Sequence, residues 1–235
     1  MRNLVRDYPS VIKSIIMAPE LNGCEKLVKE LISQKIYVSA GHIGIDFSMA
    51  LKAFTWGINR ITHLFNAMSP IHHRSPGIAT TALLDKRVFV EIIPDGVLFH
   101  PAILDLIVRL KGEDRVCLIT DSIWATSLKD GKYSLGEQEV IVQGKEARLL
   151  DGTLAGSVVS MDQTVRNIIS FTRVSLQKAI KMAFYAPACA IGFEKITGSL
   201  KKDEQAVTVI LDNQLEVLMA IVKGGTVYRK NNSNR

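Results

Sequence analysis

Lys35 to Leu64 reads K-I-Y-V-S-A-G-H-I-G-I-D-F-S-M-A-L-K-A-F-T-W-G-I-N-R-I-T-H-L. Two apolar, β-branched runs, Lys35–Ala40 and Arg60–Leu64, each lead to a histidine, His42 and His63. Between them, Asp46 to Trp56 has helical spacing, and Gly57 can end it. This is one β-α-β unit. If its strands lie parallel, the crossover brings both C-terminal ends to one edge of the sheet and makes the two imidazoles neighbours. Neutral imidazole is a good ligand for zinc-like ions, so a histidine pair on such a rim suggests a metal site. The plainer alternative is a ring that merely bonds a backbone carbonyl near a strand end.

Outward from this unit the same period repeats. Toward the N-terminus, Lys13–Met17 is a short β run stopped by Ala18-Pro19-Glu20, and Cys24–Ser33 is helical. Downstream come a helix over Ile78–Leu84, a strand over Val88–Ile93 ending at Pro94-Asp95-Gly96, and a helix over Pro101–Leu110. A buried strand, Val116–Thr120, then finishes at Asp121. Five strands alternating with helices predict a parallel α/β sheet. An open doubly wound sheet and part of a closed eight-stranded barrel both fit that pattern.

From Lys132 the texture changes. Tyr133–Val142 and Glu146–Leu150 read as β segments, followed by the small-residue run Thr153-Leu154-Ala155-Gly156-Ser157. Helices are predicted over Asp162–Phe171, Leu176–Phe184 and Ala188–Ile191. Strands are predicted over Val207–Leu211, Leu215–Val222 and Thr226–Tyr228. The expected organisation is a partial barrel over 1–131, β segments over 132–152, closing helices over 153–192, the strands of a small sheet over 205–229, and a disordered tail over 230–235.

The 235 residues carry a net charge of +6 with 47% hydrophobic and 22% charged residues, ordinary for a globular chain with one sizeable core. The basic residues are scattered rather than striped with aromatics, which argues against nucleic acid as a partner. No apolar run approaches the roughly 20 residues that span a membrane. Three widely spaced cysteines (Cys24, Cys117 and Cys189) form no C-x-x-C pair and suit a reducing compartment, so a cytoplasmic location is expected.

The strand ends collect Glu20, His42, His63, Asp95 and Asp121. A carboxylate at Asp121, held on a rigid strand, could take a proton from water and pass it to a leaving amine. A divalent cation beside it would acidify that water and polarise a carbonyl. Asn66 and Ala67 can offer amide and backbone donors to a polar substrate, and Arg74 can clamp a carboxylate or phosphate. Gly156-Ser157 can bring backbone close to a ligand. The plainer readings are a loop acid for Asp121, an exposed cation for Arg74, solvated rings for His72 and His73, and an ordinary helix entry for Gly156.

The motifs G-H (41–42), T-H-L-F-N-A-M (62–68), R-S-P-G (74–77), D-G (95–96), T-D (120–121), D-G-T-L-A-G-S (151–157) and P-A-C-A-I-G (187–192) occur in that order. The set resembles the N-acetylglucosamine-6-phosphate deacetylases of the amidohydrolase superfamily, from about Ile15 to about Val227. The resemblance implies a distorted TIM-like (β/α)8 barrel, with about five of its eight strands in this sequence, plus part of a small β-sandwich. It implies His42 and His63 as ligands of a divalent metal, zinc first, with iron, manganese or cobalt as alternatives. Asp121 becomes the catalytic acid/base. Asn66, Ala67, Arg74, Asp95, Gly96, Leu98, Leu154, Ala155 and Gly156 become the substrate-binding set. The implied reaction is hydrolysis of the acetamide of N-acetylglucosamine 6-phosphate to glucosamine 6-phosphate and acetate, in a homodimer with Arg74 near the phosphate.

Two departures carry weight. The family's early H-x-H motif and its metal-binding E-G-P glutamate have no counterpart here, and Glu20 lies in a different motif, A-P-E. The family pattern D-G-x-H reads Asp95-Gly96-Val97-Leu98, with His100 two residues on. Two imidazoles without a third protein ligand hold zinc weakly. The sequence is therefore expected to be an N-terminally truncated piece of the family fold, and the alternative function is a non-catalytic remnant.

Overall fold

The computed structural model describes residues 2–8 and 10–231. Its centre is a parallel sheet of five strands, β1 (Ser14–Met17), β2 (Tyr37–Ala40), β3 (Arg60–Ile61), β4 (Phe89–Ile92) and β5 (Val116–Leu118), lying in sequence order. A helix, α1 (Arg2–Asp7), precedes the sheet and was not anticipated from the sequence. The crossovers are α2 (Cys24–Ser33), α3 (Phe47–Thr55), α4 (Gly77–Leu84) and α5 (Pro101–Lys111). Unbroken sequence order with helical crossovers is the arrangement of a β/α barrel rather than of a doubly wound sheet, whose strand order reverses. β1 and β5 form the edges, each paired on one side.

The register separates two faces. Met17, Ala40, Ile61, Val90 and Val116 are paired across the five strands on one of them. That face is apolar and packs into the main core with Val28, Leu31, Ala53, Ile78, Leu104 and Ile107 of the covering helices. The opposite face carries Ser14, Ser39, Arg60 and Glu91. The edges of the elements obey local chemistry. The Asp46 carboxylate accepts from the Met49 amide at 2.7 Å and so starts α3. The buried Lys111 ammonium donates to the carbonyls of Ala82 and Asp85 at 2.8 and 2.6 Å and so closes α4, while burial pulls its pKa down to about 8.

Past the barrel part, β6 (Gly131–Leu135), β7 (Gln138–Gln143) and β8 (Glu146–Leu149) form an antiparallel sheet. The single β segment expected over Tyr133–Val142 is two strands, because Gly136 turns the chain at φ 61°. Then come α6 (Met161–Thr172), α7 (Leu176–Ile180), a π-helical turn over Lys181–Tyr185, and α8 (Ala186–Ala190). The helix expected over Leu176–Phe184 thus changes its winding at Lys181. The last sheet is β9 (Val207–Leu211), β10 (Val217–Val222) and β11 (Gly225–Arg229), with β10 central. In the expected tail, Lys230 is tied in: its amide donates to the Leu218 carbonyl at 2.9 Å, and its ammonium pairs with Glu216 at 2.6 Å. Residues 232–235 lie outside the described residues. Among the described residues no helix is long and apolar enough to cross a membrane.

α8 packs against one end of the polar face. Phe89 and Cys117 cluster with Ala186 and Ala190, and the Asn59 amide donates to the Ala190 carbonyl at 2.9 Å. Gly192, at φ 69°, lets the chain pass against the hydroxyl end of Tyr37, where any Cβ would overlap the phenol oxygen. Gly192→Ala combines a left-handed alanine with overpacking and is expected to cost about 2–4 kcal/mol. Urea denaturation checks this; an unchanged midpoint would mean that the close approach is not formed.

Candidate metal centre

The loops that leave β2 and β3 are joined on both sides of their histidines. The Thr62 amide donates to the Ala40 carbonyl at 2.9 Å, and the Ile43 amide donates to the Ala67 carbonyl at 3.0 Å. Gly41 lies so close to Thr62 that a Cβ there would overlap the threonine Cγ2. The Asn66 amide group donates to the carbonyls of His63 and Leu64, both at 3.3 Å, and holds that turn closed.

On this frame the two rings converge. Nε2 of His42 and Nε2 of His63 are 3.1 Å apart, with ring centroids at 4.8 Å and planes at 84°. His63 is 7% exposed, whereas His42 faces solvent. Both sit in left-handed backbone, at φ 31° for His63 and 56° for His42, and Asp121 does the same at 48°. Non-glycine residues avoid that region at a cost of order 1–3 kcal/mol each, and such strain gathers at functional sites. Three strand ends of one sheet bend in the same way, at three of the residues singled out from the sequence.

The geometry fits a shared divalent ion. Two ring nitrogens at zinc-ligand lengths of about 2.0–2.1 Å around a near-tetrahedral ion are separated by roughly 3.3 Å. A direct N–H···N bond also fits 3.1 Å, so the pair is competent for either. His63 Nδ1 is buried with no hydrogen-bond partner among the described residues. The ring is therefore oriented by its backbone and by His42, not by a bond at its second nitrogen. Among the described residues no cluster of three or more His, Cys, Asp or Glu side chains could hold a metal, so the pair supplies two ligands and no third. Glu20 is exposed, and its carboxylate accepts from the Gly44 amide at 3.4 Å.

Asp121 is exposed at the end of β5, and its backbone is gripped by the small-residue run. The Ser157 amide donates to the Asp121 carbonyl at 3.1 Å, and the Ile123 amide to the Ser157 carbonyl at 2.9 Å. Gly156, at φ 111°, would place a Cβ 3.2 Å from the Asp121 carbonyl oxygen, which explains glycine there. Leu154 and Ala155 are half-buried beside it, with the Ala155 amide bonded to the Ala147 carbonyl of β8 at 2.8 Å.

Asp95 is 5% exposed and caps its own loop, accepting from the amides of Val97 and Leu98 at 2.9 Å each. Burial nonetheless pushes its carboxyl pKa up. With Ser127, Lys145, Ser160, Gln163 and Asn167 it lines a cavity of about 260 Å³ that neither histidine lines. Gly96, at φ 79°, approaches Phe171, and Leu98 packs on the main core. His100 Nδ1 accepts from the Ala102 amide at 3.2 Å as the N-cap of α5, so His100 is occupied where it is and does not stand in for Leu98. Arg74 is exposed, with Nη1 2.9 Å from His73 Nε2, and the rings of His72 and His73 lie 4.4 Å apart.

Sequence reasoning missed the ion pair beneath the histidines. Arg60 Nε is 2.8 Å from Glu91 Oε1, and the Thr62 hydroxyl donates to Glu91 Oε2 at 2.5 Å. The available signal was a glutamate inside the apolar strand V-F-V-E-I-I.

A model of the amidohydrolase family matches residues 9–227. An N-acetylglucosamine-6-phosphate deacetylase of Bacillus subtilis (strain 168) is 37% identical over 218 residues, covering 93% of this chain and 55% of that protein. An N-acetylgalactosamine-6-phosphate deacetylase of Escherichia coli O157:H7 is 36% identical over 213 residues, covering 91% and 56%. The crystal structure of the Thermotoga maritima N-acetylglucosamine-6-phosphate deacetylase superposes with a TM-score of 0.91 at 35% identity, over 98% of this chain and 63% of that one. The chain spans about half the length of the curated relatives it matches.

The Gly41–Thr62 approach makes a prediction about the pair. Gly41→Ala pushes the two loops apart and is expected to weaken Zn²⁺ binding by about ten-fold or more, as loss of support around a metal site typically does. Thr62→Ser, which removes Cγ2, should restore much of it in the double variant. Isothermal titration checks both; equal affinity in Gly41→Ala and the wild type would contradict this packing.

Proposed function

The chain belongs to the amidohydrolase family, and on that premise we propose that it hydrolyses the acetamide of N-acetylglucosamine 6-phosphate to glucosamine 6-phosphate and acetate. The observation that carries the reading is the 3.1 Å approach of the His42 and His63 Nε2 atoms at the rim of the parallel sheet. Relatives named for this deacetylation, at 36–37% identity, support the choice of substrate.

His42 and His63 would hold a divalent ion, zinc first. When bound it supplies Lewis acidity toward the amide carbonyl and lowers the pKa of a water toward about 7. The chain's own residues do the rest. The Asp121 carboxylate takes a proton from the attacking water and returns it to the amide nitrogen as the C–N bond breaks, so the amine leaves neutral with acetic acid, which gives its own proton to solvent and remains as acetate. Asn66 and the backbone at Ala67 hold polar groups of the sugar. Arg74 meets the phosphate, in a homodimer where a second copy completes the pocket. The Asp95-Gly96 loop with Leu98, and the run Leu154-Ala155-Gly156, line the sugar-phosphate site. Leu98 presents an apolar surface where the family pattern has histidine, which lowers affinity for a sugar hydroxyl. The three free thiols suit a cytoplasmic setting.

One observation favours a second reading, a non-catalytic protein: no third metal-binding side chain joins the pair among the described residues. Acetate release from N-acetylglucosamine 6-phosphate, followed by proton NMR with Zn²⁺ present, separates the two. The hydrolase reading expects turnover, lost by about 10²–10⁴-fold in Asp121→Asn while Zn²⁺ binding persists. Absence of acetate from the zinc-loaded wild type would leave the non-catalytic reading. N-acetylgalactosamine 6-phosphate, run in parallel, reports whether the configuration at C4 is discriminated.

A further inference from the structure

We propose that Glu91 is a positioning residue for His63, acting through Thr62 and Arg60. This rests on the reading of His42 and His63 as a cation-binding pair. β3, the strand that aims His63, has only two residues and makes two ladder pairs with each neighbour. By contrast, β1 and β2 share four pairs, and β4 and β5 share three. So short a ladder fixes its register weakly. Moreover, His63 sits at φ 31°, a conformation that persists only when its surroundings over-determine it. Its Nδ1 has no partner among the described residues to orient the ring.

Glu91 supplies the missing constraint from the neighbouring strand. It grips the residue on each side of His63: its Oε2 accepts from the Thr62 hydroxyl at 2.5 Å, and its backbone carbonyl accepts from the Leu64 amide at 2.9 Å. Its Oε1 lies 2.8 Å from Arg60 Nε, a charge contact without hydrogen-bond alignment, and Arg60 Nη2 donates to Ser14 Oγ of β1. Ser39 Oγ of β2 donates to the Arg60 carbonyl at 3.2 Å. The network therefore links β1, β2, β3 and β4 around the strand whose ladder to each neighbour is shortest. Both charged side chains are nearly buried, at 10% and 13% exposed. A buried ion pair adds little to net stability once desolvation is counted, and its best-attested use is to specify one register. With its hydroxyl committed to Glu91, Thr62 also presents its methyl to Gly41, the contact that brings the His42 loop alongside.

The probe is Cu²⁺–iminodiacetate, which two converging imidazoles chelate, titrated calorimetrically and by electron paramagnetic resonance against the chain of residues 1–235. Wild type is expected to bind more tightly than His42→Ala. Glu91→Gln and Thr62→Val are each expected to lose about ten-fold or more in affinity and the paired-imidazole signature, at temperatures where circular dichroism shows them folded. Thr62→Val is nearly isosteric and removes only the hydroxyl, so it decides the matter if Glu91→Gln does not fold. A role confined to stability would lower the unfolding midpoint and leave copper affinity untouched. Folded variants that bind as wild type does overturn the positioning role while leaving the histidine pair intact. Wild type binding no better than His42→Ala overturns the pair itself and this inference with it.

Discussion

Everything at the rim depends on one close approach, that of the chain leaving β2 to the chain leaving β3. A glycine at 41 is what allows it, because any side chain there would overlap Thr62 Cγ2. Parallel strands place their C-terminal ends on a common edge, but they do not by themselves put two imidazoles within 3.1 Å. That distance comes from the Gly41–Thr62 contact, the Ile43–Ala67 backbone bond and the left-handed turns at both histidines. Each is a local feature with its own cost, and together they over-determine a geometry that neither loop would adopt alone.

The two faces of the sheet divide the labour. The helix-covered face is a continuous apolar layer, Met17 through Val116, and carries the stability of the fold. The other face is polar beneath the histidines, with a charge pair where aliphatic side chains would pack more cheaply. Replacing such a pair by hydrophobic residues is often neutral or stabilising, so its presence is better explained by specificity than by energy. The same economy applies at Asp121, whose carbonyl is gripped by the Gly156-Ser157 run while its side chain faces solvent.

Much of this was legible in the sequence, for physical reasons that differ by element. The five parallel strands follow from runs such as V-C-L-I-T, which only a strand covered on both faces accommodates, alternating with helical spacing. The nearness of His42 and His63 follows from the β-α-β period, while their 3.1 Å approach does not. The length of β3 does not follow: R-I-T-H-L reads as five extended residues, yet the ladder stops at Ile61 because the chain turns at His63. Glu91 is marked in the sequence only as a charge within an apolar run, and the register shows that it faces Arg60 and Thr62. The π-helical turn at Lys181 has no period distinct from the helix it interrupts. Arg74 lies with His72 and His73 in an exposed loop, its Nη1 2.9 Å from His73 Nε2, and exposure leaves no periodic signal there for the sequence to carry.

The most direct measurement is an X-ray absorption spectrum of the chain loaded with one equivalent of Zn²⁺, read at the zinc edge. The expected result is a first shell that includes two imidazole nitrogens at about 2.0–2.1 Å, reduced to one in His42→Ala. A shell of oxygen alone, or one unchanged by that substitution, would contradict the convergence of the two rings on a common cation.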